Sequence, residues 1–191
     1  MIFITGANSE YEDILDWFIN NYNKHISRPL YIADFGLRNK YPNTIQINWK
    51  DNPWYYKPRA MIEAPSDRVC WIDCDIEIKE DISDIFDLTG AADFGMTKDW
   101  CNRNTEWQSG LVCVNSKQPL YKWAELCEYR QYRGDQETFE IIKNFYSIKE
   151  IPKEYNWLRL AEPREDVKAM HWTGTVGKQI IRSQIHALSN G

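Results

Sequence analysis

The chain has 191 residues and a formal net charge of −5, from 23 Lys and Arg against 28 Asp and Glu. Hydrophobic residues make up 43% and aromatic residues 14%, which excludes a disordered tail and suits one compact domain spanning residues 1–191. The acidic balance argues against a nucleic-acid binder, and no apolar run approaches the roughly 18 residues of a transmembrane segment. Residues 1–5 read as a short buried strand, broken by Gly6-Ala7-Asn8. Ser9 and Glu12 fit a capping box opening a helix, continued by Ile14, Leu15, Phe18, Ile19 and Tyr22 at helical spacing. Residues 30–33 and 44–48 read as strands. Lys57-Pro58 opens a short helix with Pro58 in its first turn. Residues 69–73 form a fourth strand that ends in Asp73-Cys74-Asp75.

This alternation predicts an α/β fold with a mixed, mainly parallel sheet flanked by helices, in which ligands bind at the carboxyl ends of strands. Further on, residues 92–96 and 111–115 read as strands, and residues 98–108 between them as a polar loop. Helices are expected over residues 116–130 and 135–145, the second with Phe139, Ile142 and Phe145 facing inward. A last strand covers residues 168–172, and a basic-polar helix runs to Leu188. The start lacks a basic segment and a long apolar run, so it does not read as a signal peptide. The five cysteines are odd in number and form no C-x-x-C pair. Both facts point to a reducing, cytoplasmic setting, with Cys70 and Cys113 as core residues.

Four local features carry chemistry. The apolar run Val69-Cys70-Trp71-Ile72 leads into Asp73 and Asp75. Alternate residues of an extended strand share a face, so both carboxylates can point one way. Held together they repel unless a cation joins them, and oxygen ligands select hard dications such as Mn²⁺ or Mg²⁺. The competing reading is a strand running out into a solvated acidic turn, and Glu77 is read as solvated. Second, His171 ends a short strand before Trp172-Thr173-Gly174, and Lys178 adds a cation near a helix start, where exposed amides suit phosphate. A packed histidine before an ordinary turn would look the same. Third, Asp135-Gln136 follows Gly134 at a helix start, as a reactive pair or as a simple cap with Asp135. Fourth, a polar loop enters an apolar strand at Trp107-Gln108-Ser109-Gly110. His25 and His186 have no flanking acids and read as structural.

In this order the features resemble family 8 glycosyltransferases, the retaining GT-A group that includes glycogenin, over most of the chain. Asn8 and Tyr11 match the Asn and Tyr after the first strand, Lys57 the donor-binding Lys, and Asp73-Cys74-Asp75 the D-x-D. Gln108-Ser109-Gly110-Leu111 stands for the N-[SA]-G segment, Asp135-Gln136 for the Asp-Gln pair, and the stretch from Pro152 to Asn156 for the L-P…Y-N segment. His171-x-x-Gly174 stands for H-x-x-G. Gln108 replaces the usual Asn, and Gly177 occupies the place of the Lys in H-x-x-G-x-x-K, with Lys178 one residue later.

The resemblance implies a glycosyltransferase moving a sugar from a UDP-sugar or similar nucleotide sugar to a saccharide or other hydroxyl acceptor. Asp73, Asp75 and His171 would hold Mn²⁺, or Mg²⁺. Thr5, Asn8, Tyr11, Lys57, Cys74, Ser109, Gly110, Gly174 and Lys178 would bind the donor, with Asp135 and Gln136 at the reacting carbon. Apart from the resemblance, Trp100 and Trp107 in the polar loop read either as an apolar platform for a sugar acceptor or as loop anchors packed on the domain. A sugar-phosphate nucleotidyltransferase is the first alternative, but Gly6-Ala7-Asn8-Ser9-Glu10 lacks the basic Gly-rich loop a triphosphate wants. A carbohydrate-binding module, or an inactive relative of the transferases, is the second.

Overall fold

The computed structural model describes residues 1–50, 52–101, 104–162 and 164–189. Ten strands and six α-helices are described: β1 Ile2–Ala7, α1 Glu12–His25, β2 Leu30–Asp34, β3 Thr44–Gln46, α2 Lys57–Glu63, β4 Val69–Ile72, β5 Ile76–Ile78, α3 Ile85–Thr89, β6 Phe94–Lys98, β7 Trp107–Val114, α4 Gln118–Tyr129, α5 Asp135–Ile142, β8 Ile148–Glu150, β9 Trp157–Leu158, β10 Ala169–His171 and α6 Gly174–Ser189. The main sheet has the order β3-β2-β1-β4-β7-β6-β8. Its β3-β2-β1-β4 half is parallel, β7 is antiparallel to both neighbours, and β8 is parallel to β6. A small sheet, β5-β10-β9, sits beside it.

The sheet is covered on both faces, which explains its continuous apolar runs. Side chains alternate along a strand. Ile2, Ile4, Val69, Trp71, Val112 and Val114 therefore pack with Met61, Leu120, Trp123 and Phe139 from α2, α4 and α5. Phe3, Cys70, Ile72, Leu111 and Cys113 face the other way, onto Phe18 and Tyr22 of α1 and Ile85 and Phe86 of α3. Each large side chain buried in this way contributes about 1.5–3 kcal/mol. Cys70 and Cys113 are buried cross-strand neighbours with free thiols, as core residues should be.

Several local expectations are corrected. Ser9 and Glu12 form no capping box, and Tyr11 precedes α1 without a side-chain cap. The Glu12 carboxylate instead accepts from the amides of Arg38 and Asn39 beyond β2, a tertiary use that outcompetes the local one. Strand β1 continues through Gly6 and Ala7, which pair with Ala33 and Asp34 of β2, and a Cβ at Gly6 would meet the Phe35 ring at 2.6 Å. Strand β7 begins at Trp107, so Gln108, Ser109 and Gly110 are buried strand residues rather than loop. Helix α5 stops at Ile142, and Phe145 is exposed at the end of a short 3₁₀ turn, Lys143–Phe145. Glu77 is half-buried rather than fully solvated: it lies in β5 and accepts from the Trp172 indole at 3.1 Å.

Candidate active site

A cleft of about 780 Å³ opens at the carboxyl ends of β1 and β4. Its walls include Asn8, Tyr11, Lys57, Asp73, Cys74, Asp75, Ser109, Asp135, Gln136 and Lys178. Ten residues far apart in sequence, each singled out from sequence, therefore meet in one cavity. Thr5, Gly110, Gly174 and His171 are not among the lining residues. Thr5 is buried in β1 with its hydroxyl unpartnered, Gly110 and His171 are buried, and Gly174 is exposed at the start of α6.

The floor is built on Lys57, the first residue of α2. Its ammonium is almost wholly buried, 3.0 Å from Asp73 Oδ1 and 3.0 Å from Asp135 Oδ2. It also donates to the Ser109 carbonyl oxygen at 2.7 Å. Burial alone would lower its pKa, but Asp135 and Asp73 outweigh burial and raise it, so the group stays charged. Burial pushes the Asp135 carboxyl up; the Lys57 charge opposes that push and the Asp73 charge reinforces it. Gly134, not Asp135, occupies the cap position of α5, which leaves the Asp135 side chain free for this ion pair. The neighbouring Gln136 is held at both ends of its amide. Its Oε1 accepts from the Ser109 N–H at 3.1 Å, and its Nε2 donates to Thr105 Oγ1 at 2.6 Å and Asp99 Oδ2 at 3.3 Å.

Asp73 and Asp75 do come together, but not through strand alternation. The Ile76 N–H donates to the Asp73 carbonyl oxygen, which closes a turn just past β4. The turn delivers both carboxylates to one place with His171, their ligand atoms all within 4.8 Å of one another. Trp71 pins Asp73 through an indole N–H bond of 2.6 Å. His171 arrives on β10, which pairs with β5 so that His171 stands opposite Ile76. Its Nδ1 lies 3.0 Å from Asn156 Oδ1, an atom that can only accept, so Nδ1–H donates there and Nε2 is the ring nitrogen turned toward Asp75. Gly110 makes room for this ring, since a Cβ there would sit 2.4 Å from His171 Cε1. Two carboxylates and an imidazole oriented by Asn156 form a donor set that fits a hard divalent cation.

Lys178 closes the opposite wall. Its ammonium donates to Asp75 Oδ2 at 2.6 Å and lies 5.7 Å from the Tyr11 ring centroid. Burial opposes the Asp75 charge, yet His171 and Lys178 outweigh it and hold the carboxyl well below the usual range. The one-residue shift of this lysine has a steric cause. A Cβ at Gly177 would lie 1.7 Å from the Trp172 carbonyl oxygen, so no side chain fits there, and the next residue supplies the cation. Burial and the Asp75 charge push the Cys74 thiol up, so it is a neutral wall residue.

The tryptophans depart from expectation. Trp107 is buried with Lys98 over its ring, and it presents no platform. Trp100 packs 5.4 Å from Trp157 in a separate hollow. Gln108 is buried outside the cleft lining, with its Nε2 unpartnered. Residues not singled out also matter here: Trp71, Thr105 and Asp99 orient site groups, and Asn156 appeared only within the Pro152–Asn156 stretch. Its place at the end of that stretch was the signal the sequence offered for Asn156.

No protein-family model matches the chain, and no curated protein matches it. Solved structures do. The glycosyltransferase GlyE of Streptococcus pneumoniae TIGR4 superposes with a TM-score of 0.72 at 12% identity, over 96% of this chain and 60% of GlyE. The chain thus spans less than two thirds of GlyE. The galactosyltransferase LgtC, solved with donor and acceptor sugar analogues, gives 0.66 at 14% identity over 98% of this chain and 96% of its own. A glycosyltransferase involved in glycosylation of the PBCV-1 major capsid protein gives 0.68 at 12% identity, over 97% and 98%. Sheet order, covering helices and these superpositions agree: the chain has the GT-A glycosyltransferase fold.

Proposed function

We propose that the chain is a retaining, metal-dependent glycosyltransferase of family 8 type that uses a nucleoside diphosphate sugar, most simply a UDP-sugar, and a hydroxyl acceptor such as a saccharide. The observation that carries this reading is the meeting of Asp73, Asp75 and His171 with Lys57, Asp135 and Gln136 around one cleft of a GT-A fold. Asp73, Asp75 and His171 would hold Mn²⁺ or Mg²⁺. A bound dication supplies charge stabilisation to a departing diphosphate. Tyr11 and Asn8 stand at the entrance, where a base can lie against the phenol ring and meet the side-chain amide. Ser109 and the Asp135 carboxylate would contact sugar hydroxyls, with the Gly110 backbone and Cys74 contributing to the donor site. Gln136 presents an amide of fixed orientation toward the anomeric carbon. Lys178, near the start of α6 after Gly174, would meet the diphosphate, while Lys57 ties Asp73 to Asp135. Thr5 supports this wall from inside β1. No described helix is long and apolar enough to cross a membrane.

The test is a thermal-shift screen of nucleotide sugars with MnCl₂ or MgCl₂, followed by release of nucleoside diphosphate. A ligand bound only by the folded state raises Tm, by roughly 2.7 kcal/mol of stability at a hundred times its Kd. A rise with a UDP-sugar plus Mn²⁺ is expected. No rise with any nucleotide sugar would remove the donor-site reading.

A further inference from the structure

The acid pair already has a cation inside the protein. Lys178 holds Asp75 Oδ2 at 2.6 Å, and the other oxygen lies 3.3 Å from His171 Nε2. One oxygen of a candidate metal ligand is therefore taken by an ammonium, and the other faces the ring nitrogen that would share the metal with it. The linked ion pairs join Asp73, Asp75 and Asp135 to Lys57 and Lys178, one negative charge in excess. A dication entering by itself overshoots this to one positive charge, and it must take Asp75 from an ammonium in a partly buried setting where charges are poorly screened. A dication entering with a doubly ionised diphosphate leaves the total unchanged. The displaced ammonium stays in reach, because Lys178, Tyr11 and Asn8 line the same cleft.

We propose that Lys178 is a specificity-determining residue of this site: its ammonium on Asp75 makes the site a poor receptor for a bare divalent cation and a good one for a cation accompanied by a diphosphate. The inference rests on the metal and donor reading above. Affinity for the cation and affinity for the diphosphate are then coupled through one side chain, and the coupling is the same whichever binds first.

The experiment measures Mn²⁺ binding to the full chain by calorimetry, and by the electron paramagnetic resonance signal of free Mn²⁺, with and without UDP. The wild type, Lys178→Met and Lys178→Arg are compared, each first checked for folding by circular dichroism. Lys178→Gln replaces the Met variant if that fails to fold. Removing the ammonium should tighten binding of Mn²⁺ alone by at least about tenfold, the scale expected for one nearby charge at partial burial. The further tightening given by UDP should shrink in the same variant. Lys178→Arg keeps the charge and should bind Mn²⁺ alone as weakly as the wild type. Mn²⁺ alone binding Lys178→Met no more tightly than the wild type overturns the inference and leaves the donor site standing. Absence of Mn²⁺ binding in every chain, with or without UDP, overturns both.

Discussion

The Lys57 ammonium and the Asp135 carboxylate lie 3.0 Å apart, with both side chains more than nine-tenths shielded from water. Their contact has the geometry of an ion pair, and the ammonium is shared with Asp73 on its other side. The pair ties α2 to α5 across the floor of the cleft. Removing one member of such a pair leaves a buried charge alone. Lys57→Met should therefore lose about 3–5 kcal/mol in urea denaturation. The double variant Lys57→Met with Asp135→Asn should recover part of that loss. A single variant as stable as the wild type would show that the floor does not depend on this pair.

Gly110 sets the seat of His171. A Cβ at 2.4 Å from the imidazole forces the ring or the strand to shift. Gly110→Ala should cost about 1–3 kcal/mol by overpacking. Its more telling effect is expected in thermal shift with Mn²⁺ and UDP, where the rise seen for the wild type should be abolished or greatly reduced. An undiminished metal response would mean that His171 needs no such seat.

Thr105 fixes the orientation of the Gln136 amide, in company with Asp99. Thr105→Val keeps the shape and deletes the acceptor, at about 1 kcal/mol of stability. Turnover should fall while donor KM stays nearly constant, since the lost bond orients an amide rather than binding the nucleotide. Steady-state kinetics with the donor found in the screen would check this. A rise in KM alone would move Gln136 from positioning the reacting carbon to plain donor affinity.

Acid should erase the stabilising effect of Asp75 in the metal-free protein. Its folded-state pKa is depressed from an ordinary 3.8, because His171 and Lys178 outweigh burial. The stability it contributes is thus fully present above the unfolded value and lost as pH falls below about 4 toward the folded one. In EDTA, urea melts of wild type and Asp75→Asn should differ clearly at pH 7, and the difference should narrow at pH 3. A gap independent of pH would assign the variant's loss to packing.

Strong local patterns were readable from residue order alone. The apolar run before Asp73, the Lys57-Pro58 helix start and the amphipathic stretch from Ile14 to Tyr22 each contain their cause within a few turns or one strand. What was not readable depends on distant partners. Ser9 and Glu12 have the spacing of a cap, but the amides of Arg38 and Asn39 claim the carboxylate. Gln108 and Ser109 look like loop residues because nothing local says that polar side chains will be buried in β7. Strands β5 and β9 are three and two residues long, too short for any period to show. At the site, residue types and order were legible, while the turn that unites Asp73 and Asp75 and the support from Asn156 and Thr105 were not. Trp107 was misplaced because an aromatic in a polar stretch looks like a surface platform until the opposing core is known.

The small sheet β5-β10-β9 has a consequence for how the protein comes into being. It hangs His171 beside the acidic turn, and Lys178, which neutralises Asp75, lies 103 residues further along the chain. A chain emerging from its amino end therefore displays both aspartates long before either partner exists. Contacts of such separation form late and cannot be assembled piecemeal. The pocket is in effect a seal on finished folding: an incomplete chain can have the sheet, yet it cannot have the site.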